Sequence, residues 1–104
     1  MNKDLEKDLL NILEHIKEVL DHHNIEFWLD CGTLLGAVRE NKFISWENDL
    51  DFGVMSEAIP TSKMILVSEA LNAQGYSVWI AENHINIRHS GERAYADINI
   101  YRKQ

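Results

Sequence analysis

The chain has 104 residues, 45% hydrophobic and 26% charged, with one cysteine and a formal net charge of −7. This length supports one domain with an adequate core, and the composition excludes disordered, low-complexity and disulfide-framework classes. The acidic excess argues against a nucleic-acid binder working through a broad basic face.

The N-terminal segment is helical in pattern. Leu5, Leu9, Ile12, Leu13, Ile16, Val19 and Leu20 form one stripe, with Asn2 or Asp4 as a candidate cap and Asn24 as a left-handed stop. No apolar stretch marks a signal peptide, and the longest aliphatic run, Met64 to Val67, is too short for a bilayer. A cytoplasmic protein of a reducing compartment is the expectation.

Residues 25–30, IEFWLD, read as a strand, and Cys31-Gly32-Thr33 breaks it. A brief helix is expected from Thr33 to Glu40, then a loop, then a second strand over 49–54, DLDFGV. Pro60-Thr61-Ser62 opens a helix over roughly 62–74, with Met64, Ile65, Val67, Ala70 and Leu71 near one face and Gly75 as its stop. Extended segments follow at 76–82, 84–89 and 94–101, joined by turns at Asn83 and Ser90-Gly91-Glu92. The order α-β-α-β-α-β-β-β predicts a mixed sheet with helices packed on it, an α/β (α+β) architecture in a single unit over 1–104.

The chemistry lies in Asp49-Leu50-Asp51. Side chains at i and i+2 of a strand share a face, roughly 6.5–7 Å apart. Two carboxylates so placed repel unless a cation lies between them, and a hard divalent ion with oxygen ligands suits the position. In the last segment Ala96, Ile98 and Ile100 share the apolar face, which turns Asp97 to the other side. If that strand neighbours 49–54, three carboxylates converge, enough to hold two Mg²⁺ ions about 3.5–4 Å apart.

Upstream, Asp30-Cys31-Gly32-Thr33 ends a strand and opens a helix. Gly32 allows close backbone approach to a phosphate, Thr33 offers a hydroxyl, and Arg39 can pair with a phosphate. Other readings are weaker. The EF-hand spacing fails, because counting from Glu47 puts Phe52 at position six. His22, His23, His84 and His89 lack a zinc spacing, and Cys31 lacks a base partner. Trp46 suits a stacking role or a core role equally, and Lys42, Arg88 and Arg93 read as surface charges unless a phosphate lies near them.

The run WLDCGTLLGAVRENKFISWENDLDFGV resembles the signature of the LicD family, which includes the fukutin-related proteins and belongs to the nucleotidyltransferase-fold superfamily. The family pattern is W-x-D-x-G-T-L-L-G-x-x-R, a short loop, then P-W-D-D-D-I-D. Trp28, Asp30, Gly32, Thr33, Leu34, Leu35, Gly36, Arg39, Trp46, Asp49 and Asp51 match it. Ser45 replaces the usual Pro, and Glu47-Asn48 stand where two Asp are common. The chain ends soon after the third acid, so it reads as a truncated or a minimal catalytic core.

The resemblance implies a nucleotidyltransferase-like fold and transfer of a phospho-group from a CDP-choline- or CDP-polyol-class donor to a glycan hydroxyl. Asp49, Asp51 and Asp97 would be the catalytic metal ligands for Mg²⁺ or Mn²⁺. Gly32, Thr33 and Arg39 would bind nucleotide or phosphate. Partners would be the donor and a hydroxyl acceptor, without nucleic acid, and oligomeric state is left open. The competing readings are an Asp-x-Asp glycosyltransferase and a non-catalytic module that binds a partner.

Overall fold

The computed structural model describes residues 3–30 and 49–103. Helix α1 spans Lys3–His22 and strand β1 Trp28–Leu29. Strand β2 covers Asp49–Met55, a 3-10 turn Ser56–Ala58, and helix α2 Thr61–Ala73. Strands β3 (Tyr76–Ile80), β4 (His84–His89) and β5 (Tyr95–Tyr101) complete the fold. The helix expected from Thr33 to Glu40 lies outside the described residues, as does Asn2.

Helix α1 ends where its sequence turns polar. Asn24 adopts φ 57°, the left-handed conformation that an Asn tolerates. The Asn24 N–H bonds to Asp21 O at 3.1 Å and the Ile25 N–H to Leu20 O at 2.9 Å, the two bonds of a Schellman cap. Leu20 and Ile25 are both buried, which supplies the apolar contact that accompanies such a cap. This cap corrects the expected strand over 25–30: Ile25 completes the helix end, and only Trp28 and Leu29 pair in the sheet. At the other end the helix starts at Lys3, so Asp4 lies inside it.

Helix α2 starts behind Pro60 and stops before Gly75, whose φ of 92° is natural only for glycine. Val67 and Leu71 are its buried positions, with Met64 and Ala70 partly buried. Ile65, expected on that face, is half exposed. In a helix it sits about 200° around the axis from Val67, which carries it toward solvent.

The five strands form one mixed sheet in the order β1-β2-β5-β4-β3. Strands β2 and β5 run parallel, and every other neighbouring pair is antiparallel. The parallel pair demands a long crossover, which α2, β3 and β4 provide. Leu50, Phe52 and Val54 of β2 bury beside Ala96, Ile98 and Ile100 of β5 and Ile85 and Ile87 of β4. Leu9, Ile12, Ile16, Val19 and Leu20 of α1 and Val67 and Leu71 of α2 close this core from one side. The sheet residues between these positions therefore turn to the opposite face, where the acids lie. No described helix is long and apolar enough to cross a membrane.

Candidate metal centre

The parallel pairing of β2 with β5 decides the geometry. Its register sets Asp51 directly beside Asp97, with Leu50 beside Ala96 and Phe52 beside Ile98. Buried neighbours on both strands thus anchor the backbone while the acids project from the other face. Asp49, one pleat along β2, joins them. All three are half-buried, and one carboxylate oxygen from each lies within 4.8 Å of the others. Among the described residues this is the one such grouping of acids, histidines or cysteines. The convergence that the sequence required of neighbouring strands is therefore present.

Three acids at this separation raise the cost of ionising them together. The Asp51 carboxyl is pushed up to about 6, first by burial and further by the charges of Asp49 and Asp97. One interaction opposes the rise: Asn99 donates from Nδ2 to Asp51 Oδ1 at 3.3 Å. An all-oxygen, like-charged cluster that resists full ionisation fits a hard divalent cation, which would relieve both the burial and the repulsion.

The sheet continues outward from the acids in cross-strand rows. Asp51, Asp97, Asn86 and Trp79 share one row, and Asp49, Tyr95, Arg88 and Ser77 the next. Asn86 donates from Nδ2 to Asp97 Oδ1 at 3.0 Å. Arg88 donates from Nε to Asn86 Oδ1 at 3.0 Å, and its guanidinium carbon sits 4.1 Å above the Tyr95 ring. Burial and the neighbouring acids, Asp49 first, raise the Tyr95 phenol above its ordinary range.

On the other flank, β1 carries Trp28 and leads into Asp30. The Asp30 N–H bonds to Asp51 O at 2.8 Å, which ties the strand end to the acid strand. Tyr101 Oη donates to Asp30 Oδ2, and the Tyr101 ring lies 5.6 Å from that of Trp28. Gly53 is needed here because a side chain would run into the Trp28 indole.

Gly32, Thr33, Arg39, Cys31, Lys42 and Trp46 lie outside the described residues. Among the described residues no histidine joins a metal-binding group: His22 and His23 contact each other edge to face, and His89 Nδ1 accepts from the Gly91 N–H at 3.1 Å. A cleft of about 740 Å³ opens elsewhere, beside Asn24, Phe27, Trp28 and Met55. Its lining among the described residues includes none of the three converged acids.

Alternation along the last strand already puts Asn99 on the face of Asp97, but the sequence does not single out Asn86. Alternation in β4 puts His84, Asn86 and Arg88 on one face, but facing Asn86 to Asp97 also requires the hairpin register, centred on Gly91 and Glu92.

A family model described as LicD/FKTN/FKRP, nucleotidyltransferase domain, matches residues 24–103. An uncharacterized protein of Rickettsia prowazekii is 43% identical over 49 residues, covering 47% of this chain and 18% of that protein. The lipopolysaccharide cholinephosphotransferase LicD of Haemophilus influenzae is 40% identical over 42 residues, 40% of this chain and 16% of that protein. Human ribitol 5-phosphate transferase FKRP is 32% identical over 56 residues, 54% of this chain and 11% of that enzyme. The matches thus span less than a fifth of each of these relatives.

In three dimensions the chain resembles ANT(2″)-Ia, solved with adenylyl-2″-tobramycin. The TM-score is 0.65 at 14% identity, covering 92% of this chain and 51% of that one. That likeness shows the nucleotidyltransferase fold. With the family model covering most of the sequence, and its Asp-x-Asp strand paired to a third acid, the chain belongs to the LicD/FKTN/FKRP nucleotidyltransferase family.

Proposed function

We propose that this chain is a metal-dependent transferase core that moves a phospho-group from a nucleotide-activated donor, of the CDP-choline or CDP-polyol class, to a hydroxyl of a glycan. The observation that carries this reading is the convergence of Asp49, Asp51 and Asp97 on one sheet face in a member of this family. The choline-phosphate or polyol-phosphate group is supported by the transfers for which the Haemophilus and human relatives are named, and the nucleotide-activated donor is what the family resemblance implies.

Asp49 and Asp51 would hold Mg²⁺ or Mn²⁺, with Asp97 as the third ligand and the acceptor of the hydroxyl proton. The ion, when bound, supplies charge neutralisation for the donor phosphates. Gly32, Thr33 and Arg39 would bind those phosphates. The acceptor oxygen forms a bond to the transferred phosphorus, the phosphoanhydride bond of the donor breaks, and the nucleoside monophosphate leaves with the bridging oxygen. Such transfer depends mainly on positioning and electrostatics, so a small set of fixed carboxylates suffices.

The test is incubation with CDP-choline or a CDP-polyol, Mg²⁺ and a hydroxyl acceptor, with phosphorus NMR following release of nucleoside monophosphate. Release by the wild-type chain, lost in Asp51→Asn, is expected. Equal release by wild type and variant would contradict the assignment.

A further inference from the structure

Asp97 is supported by a two-step chain of side chains. Arg88 has only donors, so the amide atom it contacts at 3.0 Å must be the Asn86 oxygen. That contact fixes the amide orientation and turns the Asn86 NH₂ toward Asp97 Oδ1, at 3.0 Å. The same NH₂ reaches Ala96 O at 3.5 Å, so its two hydrogens have two acceptors. Arg88 is held in turn by the Tyr95 ring beneath it.

We infer that Asn86, oriented by Arg88, is a positioning residue that pins one oxygen of Asp97 and so aims the other at the bound cation. This rests on the metal-centre reading above. Asn99 does the corresponding work for Asp51 from within β5. Each inner acid is thus steered by an amide, which neutralises no charge and leaves the cluster's attraction for a cation intact. Outer partners of this kind change metal affinity by about 10–100-fold when removed.

The position of Arg88 gives the inference a test of opposite sign. If Arg88 acted only through its charge, removing it would strengthen cation binding by relieving repulsion. As the residue that orients Asn86, its removal weakens binding instead.

Mn²⁺ titration by calorimetry and by loss of the free-ion EPR signal, on wild type, Asn86→Leu and Arg88→Met, separates these cases. Each variant is first matched to wild type by circular dichroism. The expected result is weaker Mn²⁺ binding in both variants, by about tenfold or more for Asn86→Leu. Unchanged affinity in Asn86→Leu, or tighter binding in Arg88→Met, would overturn the positioning role while leaving the metal centre standing. A wild-type chain that binds no Mn²⁺ would overturn the metal-centre reading itself. Should Asn86→Leu fail to fold, Arg88→Met still decides the matter, because its two predicted directions differ.

Discussion

Asp51 is the residue on which the site's energetics turn. Its carboxyl holds a proton more tightly in the folded chain, at about 6, than at its ordinary value of 3.8. Folding therefore takes up protons within that window, and the Asp51 contribution to stability falls as pH rises through it. Asn cannot titrate, so a comparison of metal-free wild type with Asp51→Asn isolates the effect. Urea melts from pH 4 to pH 7 are expected to show the variant gaining on wild type as pH rises, by about 1 kcal/mol after solvent screening. A constant difference would contradict this assignment. The aspartates were legible as candidates because Asp-x-Asp sits in a strand with apolar alternates. Asn86 was not, because an asparagine carries no chemical signature until a pairing register brings it to an acid.

At the scale of elements, β1 is only two residues long, yet it builds one flank of the acid face. Its Trp28 covers Gly53 so closely that an added Cβ would collide with the indole. Gly53→Ala is therefore expected to destabilise by about 1–3 kcal/mol, the usual cost of overpacking, measured by urea denaturation. Trp28→Ala in the same background should remove most of that penalty, because the collision then has no partner. Helix α1 is tied to the β3 strand by a contact between His15 Nδ1 and Tyr76 Oη at 2.5 Å. Burial, with Glu92 and Asp8 nearby, pushes the Tyr76 phenol up to about 12, so it stays protonated and able to donate. Tyr76→Phe is expected to cost about 1 kcal/mol in thermal or urea melts at neutral pH. Periodicity revealed α1 and α2. The short reach of β1 was hidden because the Schellman cap takes Ile25, which in isolation reads as the start of a strand.

For the whole molecule, the described residues form an apolar layer beneath the sheet face that carries the acids. Phe52 is fully buried between the sheet and helices, and its backbone neighbours are Asp51 and Gly53. Phe52→Ala should cost about 3–5 kcal/mol and loosen the acid strand along with the core. The mixed order of the sheet was foreseeable in kind from the sequence of helices and strands. Its crossover was not, because periodicity within a strand says nothing about which strand lies beside it. That parallel β2–β5 pairing is what brings two separate acidic segments into one cluster.

The most direct measurement of the central claim is a thermal-shift titration with CTP and CDP-choline, with and without Mg²⁺ or Mn²⁺, on wild type and Asp51→Asn. Ligand at about 100 times its Kd should add roughly 2.7 kcal/mol, a rise of about 10–20 °C for a domain of this size. A metal-dependent rise in wild type that disappears in the variant is the predicted result. Nucleotide stabilisation that needs no metal, or that survives in Asp51→Asn, would contradict the placement of the site at these three acids.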